Sequence, residues 1–160
     1  MSHLSTLMQG STHTEFIAAC GDLVEKVAAS QSGISGMAIK GGLAAAKKAD
    51  ANVVPKALER ILPDVLDALD PRWQDFAESG KEDFGAFLEP HQDEVSDEIM
   101  NIADKHVEKV NSAALRKPYN SLRGKATKIL SPEVPAFGRV VQKHMGLPAN
   151  RGHVVKLLRG

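Results

Sequence analysis

The sequence predicts an all-α protein, a single compact helical bundle of about six or seven helices. Three observations carry this expectation. Apolar residues recur at intervals of three and four along most of the chain, the period of a helix face rather than of a strand. The composition is 42% hydrophobic, yet the aromatics amount to five Phe, one Trp and one Tyr. A core built on aliphatic side chains and alanine suits packed helices better than sheets. The connections between periodic segments are short, and 160 residues suffice for one domain that buries about 70% of the surface its unfolded chain exposes.

Residues 1–11 read as a flexible N-terminus, ahead of a helical domain over 12–148. Thr12 and Glu15 have capping-box spacing, and Phe16, Cys20, Leu23, Val24 and Val27 then predict a first helix over 13–29. A turn, SQSGIS, separates it from a second helix over 36–49 that holds three glycines and five alanines. Each interior glycine costs such a helix about 1 kcal/mol relative to alanine, so packing must compensate. Ala38, Gly42 and Ala46 fall four apart, as do Gly41 and Ala45, giving a ridge almost without side chains that lets another helix approach closely. Lys40, Lys47 and Lys48 on the same segment argue against its insertion in a membrane.

Pro55 opens a third helix carrying Leu58, Ile61, Leu62, Val65, Leu66 and Leu69, which Pro63 is expected to kink or split and Asp70-Pro71 to end. Trp73, Phe76, Phe84 and Phe87 follow, interrupted by a turn at Ser79-Gly80, and are expected to plug one end of the core. After Pro90 a helix shows Val95, Ile99, Ile102, His106 and Val110 against acids on its other faces. Pro118 is expected to separate a short turn at 113–117 from a helix marked by Tyr119, Leu122, Ala126, Ile129 and Leu130. Pro132 and Pro135 open the next, with Phe137, Val140, Val141, His144 and Met145 on its apolar side and Gly146 at its end. Residues 149–160 read as a basic tail or short helix.

The net charge is zero, but the charges are segregated. Residues 70–109 hold twelve acids against four bases, whereas 110–160 hold Arg116, Lys117, Arg123, Lys125, Lys128, Arg139, Lys143, Arg151, Lys156 and Arg159 against Glu133 alone. Such blocks can face each other in one fold, face another copy, or bind something else. The ten basic residues are the candidate interaction surface.

The motifs of chemistry are missing. Cys20 is the only cysteine, which excludes an internal disulfide and any CxxC site, and its apolar neighbours make it a small core residue. None of the six histidines follows a glutamate at the spacing of a di-iron bundle, so Asp93, Glu94, Asp97 and Glu98 read as a solvated face. No GxSxG, GxGxxG or P-loop pattern occurs. The sequence thus argues for no cofactor, no metal and no catalytic residue. What survives of the glycine-rich run is an anion at the start of the second helix, held by Gly36 with Lys40 nearby. Without a leader or an apolar run of membrane-spanning length, cytoplasmic residence is the default.

The run from Ser32 to Asp70, with its SGISG turn followed by Ala38-x-Lys40 and its proline-opened helix ending in DALDP, resembles a family of small actinobacterial proteins known only as a domain of unknown function. LRKPY at 115–119 and VPAFG at 134–138 belong to the same likeness. The resemblance implies a single cytoplasmic domain and no reaction. The first functional expectation is therefore a non-catalytic helical protein that associates with itself or with another protein through its acidic and basic surfaces. The alternatives are nucleic-acid binding by the basic C-terminal part and a small apolar ligand between helices, for which the glycine-rich helix leaves room.

Overall fold

The computed structural model describes residues 3–109 and 113–145. Among them there is no strand, and the helices join into five continuous runs. These are α1 (Gly10–Ser30), α2 (Gly33–Ala49) and α3 (Val53–Ser79), then α4 (Phe84–Leu88) and α5 (Gln92–Val107), linked by the 3-10 turn Glu89–His91. The last run is α6 (Ala113–Leu130) and α7 (Val134–Met145), linked by the 3-10 turn Ser131–Glu133. The six or seven separate segments expected from the prolines are therefore fewer.

The reason is clearest in α3, which is neither split at Pro63 nor ended at Pro71. It runs 27 residues through both. An interior proline costs roughly 3 kcal/mol. Against two of them α3 buries Leu62, Val65, Leu66, Leu69, Trp73 and Phe76 on one face. Full burial of one such side chain contributes about 1.5–3 kcal/mol, so six outweigh the two prolines. The helix stops only at the turn expected at Ser79-Gly80, where Gly80 takes a left-handed φ of 75° that no β-carbon disturbs. Pro118 likewise lies inside α6 rather than before it, while Pro135 stands in the first turn of α7 as expected.

The N-terminus corrects the sequence reading more sharply. Residues 3–11 are not loose, because Leu4–Met8 form a 3-10 turn with Leu4 and Leu7 fully buried. The Leu4 N–H donates to Asp70 Oδ1 at 3.0 Å, and Gln74 Nε2 donates to Asp70 Oδ2 at 2.6 Å. A buried carboxylate thereby ties the chain's start to the middle of α3. α1 begins at Gly10 with Gln9 as its cap and no side-chain cap bond, so Thr12 and Glu15 lie within the helix instead of boxing its end.

The core gathers Leu4 and Leu7 with buried residues of α1, α3, α4, α5 and α7. Trp73, Phe76, Phe84 and Phe87 do cluster, with Trp73 edge-on to Phe84 at a centroid distance of 4.9 Å. α4 and α7 cross at two glycines. A β-carbon on Gly85 would meet the Pro135 carbonyl oxygen at 2.5 Å, and one on Gly138 would lie 3.2 Å from the Gly85 Cα. Gln142 seals the crossing: its Oε1 accepts the Phe84 N–H and its Nε2 donates to the Glu82 carbonyl, at 2.9 and 2.8 Å.

Candidate functional site: an apolar cavity under the α2–α6 layer

Neither α2 nor α6 adds a described residue to that core. α2 packs chiefly against α6, with less contact to α1 and α3, and α6 packs in turn on α5. The two helices form a layer beside the bundle, and between layer and bundle lies a cavity of about 500 Å³.

Each wall follows from a helix face. On α1 the stripe that buries Phe16 and Cys20 turns away from the core in its second half, so that Leu23, Val24 and Val27 line the cavity. Val24 is 36% exposed, and the cavity reaches the surface beside it. α2 contributes Ile39, Gly42, Leu43 and Ala46, and α3 contributes Leu58, Ile61, Leu62 and Val65. Ile99, Met100 and Ala103 of α5, with Ala126 and Ile129 of α6, close the far side. Gly42 and Ala46, read from the sequence as part of a ridge for close helix packing, are among the residues that line the cavity on α2, which packs chiefly against α6.

Among the described residues the exceptions to this apolar lining are Cys20, Tyr119 and Glu133. Burial pushes the Cys20 thiol up to about 12, so at neutral pH it is a protonated, weakly polar part of the wall. The Tyr119 hydroxyl donates to Asp104 Oδ1, and burial followed by that bond holds its proton on well above the ordinary phenol range. Arg123 Nε donates to both oxygens of the same carboxylate, at 2.8 and 3.0 Å. The bond from Arg123, and then that from Tyr119, keeps the Asp104 carboxyl below its ordinary value.

The basic candidates separate into three groups. Arg123 pairs with Asp104, and Arg139 Nη2 lies 3.3 Å from Asp83, so the basic block meets the acidic block within one fold. Arg116, Lys117, Lys125, Lys128 and Lys143 are exposed. Arg151, Lys156 and Arg159 lie outside the described residues. The acidic face also has an internal partner, since Arg72 of α3 reaches Glu94 and Glu98 of α5 at 3.2 and 2.9 Å. His106, on the same interface, bonds Asp64 at 2.8 Å.

Gly36 and Lys40 are not brought together as an anion cradle. The Gly36 N–H donates to the Ser32 carbonyl at 3.1 Å, and a β-carbon there would sit 2.6 Å from the Gln31 backbone, so this glycine serves a close approach of the chain to itself. Lys40 stands exposed one turn further on. Among the described residues no group of three or more His, Cys, Asp or Glu is placed to hold a metal ion, and no helix is long and apolar enough to cross a membrane.

Fold and site together define a helical bundle whose glycine-rich second helix helps roof an apolar cavity. The chain belongs to a family of unknown function (DUF6918), whose model matches residues 4–145. That stretch runs from the first residue of the buried N-terminal turn to the last residue of α7. No curated protein and no solved structure matches the chain.

Proposed function

We propose that this protein binds a small apolar molecule between the α2–α6 layer and the bundle, without catalysing a reaction on it. The observation that carries the reading is the cavity. The space opens at the surface, so its apolar walls forgo burial worth about 25 cal/mol per Å² unless something covers them. A large apolar hollow of that kind is the usual form of a small-molecule site. Water finds little to bond there, because the lining is apolar apart from three residues and the Tyr119 hydroxyl is already engaged. The volume lies within the range of about 300–1,000 Å³ typical of small-molecule sites. Tyr119 and Glu133, well separated along the α6–α7 run, are isolated polar points on an otherwise hydrocarbon wall, which suits a largely apolar ligand.

Association through the acidic and basic blocks has less support than this reading, since Arg123 and Arg139 spend their charge on Asp104 and Asp83 within the chain. Nucleic-acid binding keeps Arg116, Lys125 and Lys128, exposed on a helix without acids. A lone cysteine fits a cytoplasmic carrier.

The test is a fluorescence titration with 1-aminoanthracene, a neutral apolar probe. Saturable binding at one site is expected, weakened about tenfold or more in Gly42→Leu and Ala46→Leu, which put a side chain where the ligand lies. Absence of saturable binding, or equal binding by variants that remain folded, refutes the reading.

A further inference from the structure

α2 carries apolar residues on two opposite faces. Its inner face lines the cavity with Ile39, Gly42, Leu43 and Ala46. Its outer face repeats Ile34, Met37, Gly41, Ala44 and Lys48 at intervals of three and four, and all five are exposed. Ile34 is 84% and Met37 75% exposed, the most exposed large apolar residues described. Two large apolar side chains this exposed on one helix face have no cover among the described residues.

The charge around it indicates which cover fits. α2 contains Lys40, Lys47 and Lys48 and no acid, and the adjoining α6 contains Arg116, Lys117, Arg123, Lys125 and Lys128 and no acid. The acids that flank α2 are already paired, Glu25 with Lys47 and Asp50 with Lys56. Exposed bulky apolar side chains set among lysines, on a helix with no negative charge, are the make-up of a segment that rests in the headgroup layer of an anionic bilayer. A duplex nucleic acid would use the same cations but would gain nothing from Ile34 and Met37.

We propose that the outer face of α2 docks on an anionic lipid surface, and that the cavity behind it takes up a lipid-derived hydrocarbon chain from that surface. The second clause rests on the apolar-ligand reading above; the docking itself does not. The same helix then touches the bilayer with one face and the ligand with the other, which gives the chain a short route between them.

The experiment is sedimentation of the full chain with vesicles of phosphatidylcholine alone and with vesicles containing phosphatidylglycerol. The protein should partition onto the anionic vesicles only. Ile34→Glu with Met37→Glu should abolish the partition, and Lys40→Gln and Lys48→Gln should each lower it about fivefold. Because Ile34 and Met37 are exposed, the double variant should keep its helical circular dichroism and its 1-aminoanthracene binding in solution. Equal partition of wild type and double variant would overturn the proposal, as would no partition at all. So would binding to duplex DNA that exceeds vesicle binding and survives the double substitution. Vesicle binding that depends on Ile34 and Met37 while no apolar probe binds would leave the docking standing and remove the ligand.

Discussion

Replacing Gly85 with alanine should destabilise the protein, although every local rule says otherwise. Alanine is the better helix former by about 1 kcal/mol, and its unfolded chain has less entropy to lose. The opposing term is steric. A β-carbon on Gly85 would lie 2.5 Å from the Pro135 carbonyl oxygen and 2.8 Å from the Arg139 Cγ. Arg139 can move, but Pro135 is backbone on α7, so α4 and α7 must separate. Overpacking of this kind costs about 1–3 kcal/mol, and separation would also strain the Phe84–Gln142 bond. The net expectation is a loss of about 1–2 kcal/mol, read as a lower urea midpoint with an unchanged m value. Gly41 is the control, since it too is helical but has nothing within 4 Å of its would-be β-carbon. Gly41→Ala should gain about 0.5–1 kcal/mol. A Gly85→Ala protein as stable as the wild type would show that the crossing has room to spare and refute the reasoning.

Two further outcomes follow from the buried and paired carboxylates. Asp70→Ala leaves the Leu4 N–H without its acceptor and should cost about 1–3 kcal/mol, with amide exchange at Leu4 rising before that of the α3 core; unchanged protection at Leu4 would contradict the anchor. Because the bonds from Arg123 and Tyr119 hold the Asp104 carboxyl below its ordinary carboxylate value, its contribution is present above that ordinary value and is lost as pH falls through the lower folded value. The stability gap between wild type and Asp104→Asn should therefore be wider at neutral pH than in strong acid, below the folded value, and a gap independent of pH would remove the Arg123 and Tyr119 bonds as its source.

The helical class, the aromatic cluster and the apolar stripes of α1 and α5 were legible in the sequence because each is a matter of local period. Leu23, Val24 and Val27 were legible as apolar, but not as cavity wall, since period alone cannot say whether a face meets a core or a space. The prolines misled for the same reason. Pro63 and Pro71 are penalised locally and outvoted by burial contributed from elsewhere in the chain, and Pro118 too lies inside its helix. Gly85, Gly138, Asp70 and Gln142 matter through contacts with residues 50 or more positions away, and no spacing rule marks them. The glycine-rich make-up of α2 reads in the sequence both as a ridge for close packing and as room for a ligand, and spacing does not choose between them; Gly42 and Ala46 lie on the cavity wall.

The central claim is that the space beneath α2 and α6 is a ligand site, and methyl NMR tests it most directly. On addition of a medium-chain alcohol such as decanol, the methyl resonances of Ile39, Leu43, Ile61, Ile99 and Ile129, all on the cavity wall, should shift together and saturate. Those of Leu4, Leu7, Val134 and Val141, buried in the core away from that wall, should stay in place. Shifts confined to exposed methyls such as Ile34 and Met37, or none at all, would contradict the account.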